Sequence, residues 1–250
     1  MMKQPSDTSP EASAPRVPAG RRVYAVGDIH GRHDLLVTLH RLIAEDAAAV
    51  GAATRVVVYL GDYVDRGPGS SAVIDRLLGD PLPGFETVFL KGNHEDMLLG
   101  FIDGPADVNW LLNGGAATLA SYGIAPGQRW FGTHELDALR QRFVAAIPDR
   151  HARFLRSLSL THVEGDYFFV HAGVRPDRPL DDQDARDLMW IRGAFLGCTD
   201  NLEKCVVHGH TIQLTPDIAR NRIGIDTGAF FTGRLTCLVL EGRGRRFLST

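Results

Sequence analysis

Apolar positions along the chain fall into two rhythms. Val23 to Val26, Arg55-Val-Val-Val-Tyr-Leu60 and Phe85-Glu-Thr-Val-Phe-Leu90 are short runs rich in β-branched and aromatic residues, each closed by glycine or a Gly-Asp pair. Such runs predict buried strands. Between them, Leu35, Leu36, Leu39, Leu42 and Ile43 recur at helical spacing within the stretch Asp34 to Val50, and Ser70–Leu78 reads as a second helix. Strand and helix alternating at this spacing predict parallel βαβ units. From Glu95 to about Ser159 the pattern turns helical, interrupted at Gly104-Pro105, Gly114-Gly115 and Pro126-Gly127. A helical cap inserted at about 95–160 is therefore expected. Short apolar runs then return at Tyr167–His171, Cys205–His208, Arg222–Asp226 and Leu235–Glu241. They predict a second sheet packed on the first, giving a layered α/β sandwich.

The polar residues that carry chemistry sit where these runs end. Gly27-Asp28-Ile29-His30-Gly31, Gly61-Asp62-Tyr63-Val64-Asp65-Arg66-Gly67 and Gly92-Asn93-His94-Glu95 follow the first three strands. His171-Ala172-Gly173 and His208-Gly209-His210 close two later ones. Ligands of α/β folds collect at the carboxyl ends of strands, so this order delivers Asp, Asn and His to one rim. Carboxylate, amide oxygen and imidazole are ligands for divalent first-row metals. Asp28 and His30 lie two apart, and in extended backbone they project to one side and can grip one ion. Asp62 has lone pairs for two ions, and one bridging carboxylate holds two metals roughly 4 Å apart.

Composition narrows the class. The 250 residues suit one domain with an insertion, and 44% hydrophobic with 23% charged residues is a globular balance. The net charge of −3 offers no general field for nucleic acid, so no nucleic-acid partner is expected. No apolar run reaches 18 residues, so no membrane partner is expected either. Residues 1–20 carry Pro5, Pro10, Pro15 and Pro18 without an apolar stretch. They read as a disordered tail ahead of a domain at 21–250, and a cytoplasmic location is the expectation. Cys198, Cys205 and Cys237 have no metal-binding spacing and are expected as free thiols.

Taken in order from Gly27 to His210, the five segments resemble the phosphoprotein phosphatase family of metallophosphoesterases. Trp190-Ile191-Arg192 and His208-Gly209-His210-Thr211 bring the likeness closer to its compact bacterial and phage-type members. The resemblance implies a calcineurin-like β-sandwich flanked by helices. It implies two divalent metal ions, manganese first with iron or zinc as alternatives. Asp28, His30 and Asp62 would hold one ion; Asp62, Asn93, His171 and His210 would hold the other. His94, paired with Asp65, would protonate the leaving oxygen, while Arg66 and Arg192 grip the phosphate. The implied reaction is direct attack on phosphorus by a hydroxide bridging the metals. An imidazolium oriented by a carboxylate suits the acid role at neutral pH, and arginine's planar fork matches phosphate.

The substrate is expected to be a phosphorylated protein or a small phosphoester. Bacterial relatives that split diadenosine tetraphosphate symmetrically usually lack the aspartate at 65 and often have aspartate at 95. Asp65 and Glu95 therefore favour a serine/threonine protein phosphatase; the dinucleotide activity or a broad small-molecule phosphatase is the alternative. Trp110 and Trp130 either line the substrate wall or hold the core of the cap. Arg32 either adds charge near the phosphate or caps the following helix, and Arg175 is a weaker substrate contact. His208 and Asp226 are expected to support the site or to be structural, and His33, His40, His134, His151 and His162 to face solvent.

Overall fold

The strand-forming runs pair with one another because both of their faces can be buried. The computed structural model describes residues 14–49, 51, 54–125 and 133–250. In chain order the elements are β1 (Arg21–Val26), α1 (His33–Ala48), β2 (Thr54–Tyr59), α2 (Ser70–Leu78), β3 (Glu86–Phe89) and α3 (Asn93–Asp103). The cap continues with α4 (Val108–Trp110), a π-helical turn at Leu111–Gly115, α5 (Ala116–Ser121), α6 (Thr133–Ala146) and α7 (Asp149–Arg156). After it come β4 (Thr161–Glu164), β5 (Tyr167–Val170), α8 (Ala185–Trp190), α9 (Gly193–Leu196) and β6 (Cys205–His208). The chain closes with β7 (Asp217–Ile218), β8 (Arg222–Gly224), α10 (Ala229–Thr232), β9 (Thr236–Glu241) and β10 (Gly244–Ser249).

Two five-stranded sheets result, in the orders β10-β9-β1-β2-β3 and β4-β5-β6-β8-β7. β1, β2 and β3 are parallel, as the βαβ spacing predicts, and β5, β6 and β8 are parallel in the second sheet. Alternation splits each strand between two cores. Val23, Ala25, Val56 and Val58 face Phe169, Val207, Ile223 and Ile225 across the sandwich. Tyr24, Val26, Val57 and Tyr59 pack outward on α1, α2 and the cap. Phe168, Val170 and Val206 are covered by Leu188 and Phe195. The observed architecture is the α/β sandwich with flanking helices.

Three expectations change. Residues 14–20, assigned to the tail on composition, lie along the sheets: Val17 is buried between them and its N–H donates to the Gly242 carbonyl at 3.0 Å. Val17 is joined in holding that segment by Arg16, whose N–H donates to Asp166 Oδ2 and whose carbonyl accepts the Asp166 N–H; residues 1–13 lie outside the described residues, as does Trp130. His40 and His151 are buried rather than solvent-facing, because each fills a polar niche between helices. His40 meets the Tyr59 hydroxyl at 2.8 Å, and His151 bridges Tyr122 and Asp75 at 2.9 and 3.0 Å. All three cysteines are free thiols, Cys205 and Cys237 buried. No helix among the described residues is long and apolar enough to cross a membrane.

Candidate active site

The carboxyl ends of β1, β2 and β3 from one sheet, and of β5 and β6 from the other, meet at one rim. Asp28, His30, Asp62, Asn93, His94, His171 and His210 are all buried there. Six non-glycine residues have positive φ among the described ones, and five are candidate site residues: His30, Asp62, Asp65, Arg66 and His210. Left-handed backbone at such residues costs about 1–3 kcal/mol each, so the surrounding fold holds the loops in place. Glycine makes room at two points. A Cβ at Gly92 would collide with Asp62 Oδ1, and one at Gly209 with Asp28 Oδ1.

Hydrogen bonds orient the imidazoles. His30 Nδ1 donates to the Val64 carbonyl at 2.9 Å and His171 Nδ1 to the Leu60 carbonyl at 2.8 Å. A carbonyl only accepts, so in the neutral rings each Nε2 carries a lone pair that points into the site. Asp62 presents Oδ2 to His30 Nε2 at 3.5 Å and Oδ1 to His171 Nε2 at 3.4 Å. Asn93 Oδ1 lies 3.0 Å from His171 Nε2 and 2.9 Å from His210 Nδ1. Two trios of donor atoms fall within 4.8 Å of one another, His30–Asp62–His94 and Asp62–His171–His210, with Asp62 common to both.

Asp28 follows β1 of the first sheet and meets the second, its two oxygens accepting the His210 N–H at 3.2 and 3.1 Å. It does not share an extended strand face with His30, because His30 has φ 45° and the chain turns between them.

This donor set fits divalent cations. Atoms each about 2.0–2.2 Å from one ion lie roughly 3.0–3.5 Å from one another, which is the spacing found here. His171 Nε2 and Asn93 Oδ1 also face each other with no proton between them once Nδ1 has donated to Leu60. A cation relieves that repulsion. Burial lowers the pKa of His30 and of His210 to about 3 and lowers that of His171, keeping them in the neutral form that binds metal. Burial, then Asp226 and Asp62, pushes Asp28 well above the usual carboxylate range. Burial also acts to raise Asp62, but His171, His94, His30 and His210 around it prevail and lower it.

His94 departs from this pattern. Its Nδ1 meets Asp65 Oδ2 at 2.7 Å instead of a backbone carbonyl. Burial pulls its pKa down, yet Asp62 and the hydrogen-bonded Asp65 raise it above the ordinary histidine value. Asp65 itself is fully buried and held by groups no local motif announces: Trp110 Nε1 donates to it at 3.0 Å and Thr118 Oγ1 at 2.6 Å. Its backbone N–H donates to Ser70 Oγ and Thr118 Oγ1. Trp110 is thus a core residue of the cap that fixes the partner of His94. Trp110→Phe keeps the ring and removes the donor. We expect a loss of about 1–3 kcal/mol in urea unfolding and a severalfold lower kcat at unchanged KM; kinetics identical to wild type would show that the donor is dispensable.

Glu95 is equally internal. Its carboxylate accepts the N–H groups of Asp62, Tyr63, Val64 and Gly92 at 2.8–3.3 Å, so it shapes the loop after β2 and meets no substrate. Arg66 Nη1 donates to His30 Nε2 at 2.9 Å while its guanidinium stacks over Phe230 at 4.8 Å. Arg192 Nε donates to His210 Nε2 at 3.0 Å. The two guanidiniums thus stand at opposite ends of the donor cluster. Arg32 binds Asp34 and the Ala229 carbonyl, making no side-chain cap. Arg175 is paired with Asp177 on the surface. His208 is buried with Nδ1 against the Gly209 carbonyl.

The pattern of the calcineurin-like phosphoesterases matches residues 21–224, which takes in β1 to β8 and every candidate metal ligand from Asp28 to His210. The chain belongs to this family. The phosphoesterase is 26% identical over 231 residues to the bis(5'-nucleosyl)-tetraphosphatase PrpE (asymmetrical) of Bacillus cereus, covering 85% of this chain and 88% of the relative. Its fold is similar to a structure provisionally described as a diadenosine tetraphosphatase, with TM-score 0.60 and 24% identity over 94% of this chain and 98% of that one. It is also similar to the cold-active protein-tyrosine phosphatase of a psychrophilic Shewanella, with TM-score 0.54 and 18% identity over 93% and 83%.

Proposed function

We propose that this phosphoesterase hydrolyses phosphate esters at a pair of divalent cations shared by Asp62. The observation that carries the reading is the Asp62 carboxylate, whose two oxygens face His30 and His171 separately. Asp28, His30 and Asp62 would hold one cation, and Asp62, Asn93, His171 and His210 the other. A ligand set of nitrogen and oxygen without thiolate suits manganese first, with iron or zinc also compatible. Such a pair, when bound, neutralises phosphate charge and lowers the pKa of water to about 7. The protein's own part is positioning and proton supply. Arg66 and Arg192 give bidentate donors for the phosphate oxygens from two ends. His94, biased toward the imidazolium by Asp62 and Asp65 against the effect of burial, would give its Nε2 proton to the departing oxygen.

Two substrate readings follow from different observations. Asp65, intact and paired with His94, supports a phosphoserine or phosphothreonine protein through the family resemblance. Glu95 supports the same reading only through that resemblance, since its carboxylate is committed to backbone N–H groups. The relatives named as bis(5'-nucleosyl)-tetraphosphatases, matched over 85% of this chain, support a dinucleoside tetraphosphate, and we take this as the leading reading. Asp65 acts on His94 and would serve either leaving group. The test is a comparison of diadenosine tetraphosphate, phosphoserine peptide and phosphotyrosine peptide with manganese present. The dinucleotide should show the highest kcat/KM, and chelation should abolish turnover of all three. Faster turnover of phosphoserine peptide would reverse the substrate reading; turnover undiminished by chelator would end the metal-centred one.

A further inference from the structure

Asp226 follows β8 in Ile225-Asp226-Thr227-Gly228 and is 2% exposed. Its Oδ1 accepts the Gly228 N–H at 2.9 Å, whereas Oδ2 is buried and has no hydrogen-bond partner among the described residues. The carboxylate stands against Asp28, with Asp62 and Arg66 as its further charged neighbours. Its position is fixed from both sides. The Ile225 N–H donates to the His208 carbonyl at 2.9 Å, and Thr227 Oγ1 is bonded to the Arg234 carbonyl and Thr236 Oγ1. A buried carboxylate oxygen without a partner is unfavourable unless a cation or donor meets it. Three carboxylates, Asp28, Asp62 and Asp226, gather where Arg66 is the neighbouring fixed cation.

We propose that Asp226 Oδ2 is a further ligand atom for the cation held by Asp28, His30 and Asp62. The proposal rests on the two-cation reading above. Its rival is a protonated Asp226 that hydrogen-bonds to Asp28 and only positions it, and the two differ in what an amide can replace. In Asp226→Asn the side-chain oxygen still accepts the Gly228 N–H, and the NH2 group can donate to Asp28, but nitrogen of an amide does not ligate metal.

The experiment is manganese titration of the full chain by calorimetry, with bound manganese per chain measured after gel filtration. Wild type should bind two ions. Asp226→Asn, with an unchanged circular dichroism spectrum, should keep one ion at wild-type affinity and bind the other about 10- to 100-fold more weakly. Anomalous diffraction from wild-type crystals grown in manganese reads the same contact without any substitution and should place Oδ2 about 2.2 Å from an ion. Two ions at wild-type affinity in Asp226→Asn, or an Asp226 out of reach of both ions, would overturn this assignment alone. Fewer than two ions in wild type would overturn it together with the two-cation reading.

Discussion

His94→Asn is expected to lower turnover by roughly 10²–10⁴-fold, the usual contribution of a general acid, while both metal ions stay bound. The expectation follows from how this imidazole differs from its neighbours. His30 and His171 are tied through Nδ1 to backbone carbonyls and are kept neutral by burial. His94 is tied to a carboxylate and is pushed toward the cationic form. An imidazolium repels a metal ion and has a proton to give. The size of the effect should depend on the leaving group. An alkyl phosphate such as phosphoserine needs that proton, whereas p-nitrophenolate departs readily without it. The loss on p-nitrophenyl phosphate should accordingly be the smaller of the two. Metal analysis decides between acid and ligand, since His94 also belongs to a trio with His30 and Asp62. A variant that loses an ion would reassign His94 to the metal, and one with full activity on phosphoserine peptide would remove it from the chemistry.

The second large effect is expected from Asp62→Asn, which should weaken both ions and reduce turnover at least as far as the His94 substitution. Asparagine is a mild change for the backbone here. Asp62 has φ 51°, a region asparagine enters readily, and an amide oxygen can still accept the His94 N–H now bonded to Asp62 Oδ1 at 3.1 Å. The Asp62 N–H stays with Glu95. What disappears is one negative charge and one of the two carboxylate oxygens. Retention of two tightly bound manganese ions, measured by calorimetry, would refute the shared position of this carboxylate.

Much of this candidate centre is legible in the sequence because its segments sit where apolar runs stop. Glycine and aspartate after Tyr59-Leu60 mark the end of β2 plainly, and the same holds for Gly92 after β3. Three strands were not foreseen. β10, Gly244–Ser249, begins Gly-Arg-Arg and lies at a sheet edge where charge is tolerated, so it lacks the apolar signature. β4 and β7 are four and two residues long and reach no period. Extended alternation puts Asp28 and His30 on one strand face, but His30 has φ 45°, so the chain leaves the extended form between them. Trp110 and Thr118, 45 and 53 positions from Asp65, belong to a cap whose docking no local pattern encodes. Glu95 marks substrate class only through the family resemblance, whereas in the fold its carboxylate is turned onto the backbone N–H groups after β2. One residue along a helix rotates a side chain by about 100°, enough to turn it inward.

The bond between the Asp28 carboxylate and the His210 N–H spans 182 positions of the chain. A ribosome making this protein therefore delivers Asp28, His30, Asp62, Asn93 and His94 first, and His171 and His210 only after the whole cap has been made. The first three strands can pair before then, yet their acidic loops lack the second sheet's histidines until β5 and then β6 have left the exit tunnel. On the two-cation reading, a fragment ending before β5 should bind no metal pair and show no turnover, however well its first sheet had formed.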